Sequence, residues 1–392
     1  MLTPSWRYAL SAALLATTLV AAPAIATPTH PTQTTPTASD RSDLDLTLPA
    51  PRGVLPAAST SLHLVDESRP DPWVPRSGDR ELMVSVFYPT YTHRGEQASY
   101  MTAAESSAII DAQRASGVPI PEEIPDTILS TVRTPVVREA FPLPRLGGRP
   151  LVVLSPGFGF SRSSLTGLAA DLASRGYVVA AIDHAHEAYG IEMPDGRLVE
   201  CAACDTQDYA KIPRGRSKDI SFVLDRLLSP ESPWSYSWLI DRQRIGVAGH
   251  SIGGNSAAST MQSDSRIDAG VNLDGTFFDH IDRPLDRPFM MLGTRELHRP
   301  DGGDESWPRA WRKLRAARYW FTVRGSNHGS FTDFPVLTEQ AGIEPGPLGG
   351  RRSLSITRTY VGAFFDKHLR GHDRPVLDGA SSRWPEIERH RP

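Results

Sequence analysis

The run Arg244-Ile245-Gly246-Val247-Ala248-Gly249-His250-Ser251-Ile252-Gly253-Gly254 constrains this chain more than any other segment. A short apolar strand leads directly into Gly-x-Ser-x-Gly, and a small-residue helix is predicted from Asn255 to Met261. Strand, sharp turn and helix form the context in which this motif presents a nucleophilic serine. The turn forces the serine backbone into an unfavourable region, and only small neighbours, here Gly249 and Gly253, leave room for it. The hydroxyl of Ser251 is thereby expected above the sheet edge. The helix start behind it offers free N–H groups to a developing negative charge.

The surrounding sequence has the rhythm of an α/β protein. Leu151–Leu154 is a continuous apolar run, as expected of a strand buried on both faces. Further strands are predicted at Tyr177–Ile182, Arg244–Ala248, Ala269–Leu273, Phe289–Leu292 and Tyr319–Val323. Between them, Leu165, Leu168, Ala169 and Leu172 recur at helical spacing, as do Ile220, Val223, Leu224, Leu227 and Leu228. Trp307–Ala317 is read as helical, and a closing helix over Leu354–Leu369 carries Ile356, Tyr360, Phe364 and Phe365 inward. Alternation of this kind implies a mostly parallel sheet with helices on both faces. Two strands, Ser61–Val65 and Glu81–Tyr88, precede it and are expected to pair antiparallel. The proline-rich stretch 90–148, with helical character from Tyr100 to Gly117, is a long excursion between the second and third strands, suited to a lid or pocket wall.

The ends read differently. Arg7, the apolar stretch Tyr8–Ala22 and Ala24-Ile25-Ala26 have the pattern of a signal peptide over 1–26, so the protein is expected to be secreted after cleavage near Ala26. Residues 27–58, rich in Thr, Pro and Ala, are expected to be a flexible linker, 59–375 the catalytic domain and 376–392 a tail. A formal net charge of −3 supplies no basic excess for nucleic acid or an anionic membrane surface. The two cysteines, Cys201 and Cys204, lie in a loop as Cys-Ala-Ala-Cys. With no further Cys or His at metal spacing, a local disulfide is expected in a secreted chain.

Parallel-sheet enzymes place their reactive groups after the carboxyl ends of strands. Ser251 follows one strand, Asp274 ends the next, and His328 follows the last, in the chain order Ser, acid, His. A histidine titrating near neutrality can take the serine proton, and a carboxylate on its other ring nitrogen fixes the tautomer. Two N–H groups are needed for the oxyanion. Ile252 is expected to supply one and Phe158, in Ser155-Pro156-Gly157-Phe158-Gly159-Phe160, the other. Glu296, Asp301 and Asp304 compete for the role of acid, and His280 and His298 for that of base. His250 is read as a packed structural histidine pointing away. His184, His186 and Glu187 form a His-x-His plus carboxylate cluster, for which metal binding is the less favoured reading; neither metal nor cofactor is expected.

The Phe158 loop, Gly249-His250-Ser251-Ile252-Gly253-Gly254, Asn272-Leu273-Asp274 and Arg324-Gly325-Ser326-Asn327-His328 together resemble the plasma-type platelet-activating factor acetylhydrolases. The resemblance runs from about Ser61 to Leu369. It implies an α/β-hydrolase fold and calcium-independent removal of short or oxidised sn-2 acyl chains from phospholipids. It also implies Asp274, rather than Glu296, as the acid. Ser155-Pro156-Gly157-Phe158, Arg214-Gly215-Arg216 and the elbow resemble bacterial cutinases and polyester hydrolases as well. Pro156 stands where the acetylhydrolases usually carry histidine, and their membrane-docking apolar helices are not evident. The expectation is therefore a cofactor-free serine esterase acting through an acyl-enzyme on a small-molecule or lipid ester, touching lipid surfaces at most transiently. A lipase or cutinase-like enzyme on other esters is the alternative, and a non-catalytic binding protein of the same fold the third. Acyl length, head group and oligomeric state stay open.

Overall fold

A computed structural model describes residues 44–379 and 381–392. The expected signal peptide and residues 27–43 of the expected linker lie outside the described residues. Ten strands form one sheet: β1 (Ala57–Pro70), β2 (Asp79–Pro89), β3 (Val136–Arg138), β4 (Arg149–Ser155), β5 (Val178–His184), then, beyond a separate small hairpin of β6 (Gly190–Glu192) and β7 (Leu198–Glu200), β8 (Ile240–His250), β9 (Ala269–Leu273), β10 (Phe289–Thr294), β11 (Arg318–Val323) and β12 (Ile387–His390). Their spatial order is β12-β11-β10-β9-β8-β4-β5-β2-β1-β3. The run from β5 through β4, β8, β9 and β10 to β11 is parallel, whereas β2 and β12 pair antiparallel with it.

The helices are α1 (Ala103–Ala115), α2 (Thr166–Ser174), α3 (Lys211–Leu228), α4 (Ile252–Ser263), α5 (Arg295–His298), α6 (Ser306–Trp311), α7 (Phe334–Gln340) and α8 (Gly350–Arg370). Side chains alternate across β4, as the two-residue period of a strand requires. Val152 and Leu154 pack with Leu168 and Leu172 of α2 and Tyr360, Phe364 and Phe365 of α8. Leu151 and Val153 pack on the opposite face with Val223 and Leu227 of α3, Ala257 and Met261 of α4 and Trp307. The continuous apolar runs seen in the sequence are thus strands covered twice.

Three expectations are corrected. The linker does not extend to residue 58: Leu46 and Leu48 are buried, and Arg52 donates from its backbone N–H to Asp171 Oδ1 at 2.8 Å. These leucines reach an apolar cluster formed with Tyr100, Ile109 and Ile110, which outweighs a Thr/Pro-rich composition. The tail at 376–392 is not detached, because Ile387–His390 adds an edge strand to β11 and Trp384 is buried. The helix expected over Trp307–Ala317 ends at Trp311; Leu285 and Lys313–Arg315 then exchange backbone hydrogen bonds instead. The excursion at 90–148 contributes α1, closed by a Thr102–Glu105 capping box, and β3, which extends the sheet beside β1.

Phe365 fits over Gly246, where a Cβ would meet its ring at 2.4 Å. Phe365→Ala should therefore cost about 3–5 kcal/mol of unfolding free energy, read as a lower urea midpoint at unchanged slope.

Candidate active site

The elbow at Ser251 is built from close backbone contacts. Ser251 has φ 56° and ψ −127°, and its N–H donates to Leu273 O at 2.7 Å. A Cβ on Gly249 would lie 2.2 Å from the Gly253 carbonyl carbon, and one on Gly253 would lie 2.1 Å from Ser155 O. Side chains are excluded there because the turn and the loop after β4 touch main chain to main chain. Among the described residues four non-glycine residues have positive φ, and Ser251 and Asp274 (φ 59°) are two of them. Asn272 supports the Asp274 turn by receiving the Gly275 N–H at 2.7 Å and donating to Gly275 O at 2.8 Å.

Three side chains from beyond the ends of β8, β9 and β11 converge. His328 Nε2 is 2.9 Å from Ser251 Oγ, and His328 Nδ1 is 2.6 Å from Asp274 Oδ2. His328 opens a 3-10 turn, His328–Phe331, secured by reciprocal bonds between Asn327 and Ser330. The neighbouring His250 does not simply point away. Its Nε2–H donates to the His328 carbonyl at 2.8 Å and its ring packs 4.6 Å from that of His328. Burial, then the neighbouring His328, pushes His250 down to about 3, so it is a neutral brace for the His328 backbone.

Asp274 Oδ1 receives the Thr294 N–H at 2.6 Å and faces His298 Nδ1 at 2.6 Å. Burial opposes ionisation of Asp274, yet His298 and His328 together hold its carboxyl well below the usual range. The other acid candidates lie elsewhere: Glu296 and Asp301 are exposed, and Asp304 is buried one layer further out against His298. Of the other base candidates, His280 is exposed and His298 is turned to the far side of Asp274. The elbow places Ile252 at the first position of α4, and among the described residues neither its N–H nor that of Phe158 donates to a protein acceptor. Both amides are therefore available to an oxyanion. The Cys201–Cys204 disulfide closes beside His186, whose carbonyl receives the Ala203 N–H.

A buried ion network underlies the Phe158 loop. Arg216 donates to Pro156 O at 2.5 Å and to Glu187 Oε2 at 2.6 Å. Glu187 in turn receives the Gly159 N–H on its backbone carbonyl at 3.0 Å. Arg80 joins Asp71, Asp219 and Glu187, and His184 links Asp219 to Ser155 Oγ. His184 and Glu187, two members of the His-x-His plus carboxylate cluster, thus meet aspartate and arginine partners. Burial, then Arg216, pushes His184 down to about 4, which keeps it neutral. Above the loop, Phe160 packs 4.8 Å from Phe334 and 6.0 Å from Tyr189. These rings pack against the cluster of Leu46, Leu48, Ile109 and Ile110.

Fold and site together define an α/β-hydrolase. The family model described as platelet-activating factor acetylhydrolase, isoform II, matches residues 77–192 and 237–344, over half of the chain, and the chain belongs to that family. It is a carboxylic-ester hydrolase. A protein of Arthroderma benhamiae named "Probable 1-alkyl-2-acetylglycerophosphocholine esterase" is 29% identical, with 87% of this chain and 92% of that one covered. The platelet-activating factor acetylhydrolase of Cavia porcellus is 24% identical over 56% of this chain and 57% of its own length. A solved ferulic acid esterase from Streptomyces cinnamoneus is 42% identical, with a TM-score of 0.78, covering 88% of this chain and 99% of that one.

The positions of His298 between Asp274 and Asp304, and of Arg216 under the Phe158 loop, were not legible in the sequence. Each has a residue type that recurs many times along the chain. Arg216→Leu should leave Glu187 buried without one partner and free the Pro156 carbonyl. A loss of about 3–5 kcal/mol of stability is expected in denaturant titration, with kcat falling further than KM rises. A second expectation concerns pH. Burial would lower His298, but Asp274 and then Asp304 raise it to about 9 from its ordinary 6.5. Its stabilising contribution is complete below about 6.5 and is lost as pH rises through about 9. Melting temperature should fall across that window in the wild-type protein and fall less in His298→Gln.

Proposed function

We propose that Ser251 is the nucleophile, His328 its general base and Asp274 the acid that orients the imidazole, with Phe158 and Ile252 as oxyanion donors. The observation that carries this reading is the unbroken chain of contacts from Ser251 Oγ through His328 to Asp274, at 2.9 and 2.6 Å. In the first step His328 Nε2 takes the hydroxyl proton while Oγ attacks the ester carbonyl. The imidazolium then protonates the departing alcohol, leaving an acyl-enzyme. Water, deprotonated by the same histidine, attacks the acyl carbonyl and releases the acid and free Ser251.

The substrate in this proposal is a short-acyl ester of the acetylglycerophosphocholine type, the class named for the Arthroderma benhamiae relative. A second reading is an ester of an aromatic acid. It is favoured by the 42% identity to the Streptomyces cinnamoneus ferulic acid esterase and by the wall of Phe160, Tyr189 and Phe334 beside the Phe158 loop. Secretion belongs to the same proposal. The apolar stretch 8–22 after Arg7 supports it, as does a disulfide suited to an oxidising compartment. The net charge of −3 supports a substrate other than nucleic acid, with any lipid contact transient.

Ser251→Ala should abolish fluorophosphonate labelling and lower kcat about 10⁶-fold with the fold intact by circular dichroism. Hydrolysis by the wild-type chain is compared on p-nitrophenyl acetate, a short-acyl phosphocholine lipid and methyl ferulate. Preference for the lipid by kcat/KM supports the first substrate, and preference for the ferulate replaces it with the second. Retained labelling in the alanine variant removes Ser251 from its role.

A further inference from the structure

We propose that His298 is a positioning residue for the triad: as an imidazolium held between Asp274 and Asp304, it aims the Asp274 carboxylate at His328 and offsets its charge. The inference rests on the Ser251–His328–Asp274 reading and goes beyond it.

The protonation state follows from counting donors. Asp274 Oδ1 accepts from Thr294 N–H and Asp304 Oδ1 from Ser306 N–H at 2.8 Å. Asp304 Oδ2 accepts from Thr276 Oγ1 at 2.7 Å. Both carboxylates are thus surrounded by donors, the arrangement that suits their ionised forms. His298 turns Nδ1 to Asp274 at 2.6 Å and Nε2 to Asp304 at 3.2 Å. Two ionised acceptors on two ring nitrogens require a proton on each, so the ring is a cation. It has no freedom to turn away: it stacks on Trp307 at 4.1 Å and 15°, and the Trp320 indole N–H donates to its carbonyl at 2.7 Å.

The consequence is electrostatic. At rest the buried group of Asp274, Asp304, His298⁺ and neutral His328 carries one net negative charge. When His328 takes the proton of Ser251, that charge falls to zero inside a site of low dielectric. Without the imidazolium the same step would run from minus two to minus one. His328 would then hold its proton more tightly, leaving less free base at neutral pH. The titratable groups facing His298 are Asp274 and Asp304. Those facing His328 are Asp274, Ser251 and the neutral His250.

The test uses the full chain, p-nitrophenyl acetate and active sites counted with a fluorophosphonate. For His298→Gln, kcat per labelled site should fall about tenfold with KM within about twofold, and the acid limb of kcat/KM should move up by about half to one pH unit. Adding Asp304→Asn restores the net charge and should return the limb toward the wild-type position, which a purely structural role would not do. An acid limb for His298→Gln that superimposes on wild type, with labelling intact, overturns this inference and leaves the nucleophile assignment standing. Independently of any variant, ¹⁵N spectra of histidine-labelled wild-type protein should contain a doubly protonated imidazole at pH 8. Its absence overturns the proposal even where the variants do not fold.

Discussion

The direct contact of main chain with main chain around Ser251 is the constraint on which the rest depends. Gly249 and Gly253 let the elbow close onto Ser155 O, and Gly275 admits the Ser251 carbonyl, which a Cβ there would meet at 2.0 Å. Three loops, after β4, β8 and β9, are pressed together at these glycines. That contact sustains the positive φ at Ser251, a conformation that costs about 1–3 kcal/mol wherever its surroundings do not enforce it.

A shape set by backbone crowding still has to be held in charge and orientation, and the molecule does so with two buried polar groups on opposite sides. Under the Phe158 loop, Arg216, Glu187, His184, Asp219 and Arg80 satisfy one another and the loop carbonyl at Pro156. Behind the acid, His298 and the Thr294 N–H meet the far oxygen of Asp274, and Asp304 holds the other ring nitrogen of His298. Buried charges left unpaired are strongly destabilising, so each group persists only as a complete set. The catalytic proposal therefore involves more than three side chains: His328 is braced by His250 through its backbone and by Asp274 through its ring, and Asp274 is held in turn by His298.

Much of the architecture was legible beforehand because it rests on local pattern. Continuous apolar runs marked β4, β5, β9, β10 and β11, since strands covered on both faces have no polar face to interrupt them. The helical spacing of Ile220, Val223, Leu224 and Leu227 marked α3. Composition misled at both ends of the described chain. A few apolar residues, Leu46 and Leu48 at one end and Trp384 and Ile387 at the other, dock segments whose average character is that of a linker. Helix length was overread at Trp307–Ala317 because pairing with Leu285 satisfies the backbone that the helix would otherwise use.

For the site, the sequence by itself determined the strand–turn–helix context of Ser251 and the order Ser251, Asp274, His328 along the chain, because these follow from motif and from position at strand ends. Which imidazole meets which carboxylate oxygen is visible only in the tertiary structure. Asp274 and Asp304 are alike as residues, as are His328 and His298, and what separates them is which side of one carboxylate each imidazole approaches. That is a matter of distances of about 3 Å between segments far apart along the chain. No local propensity encodes such an approach; it emerges when β9, β10 and β11 lie side by side and bring their following loops to one edge.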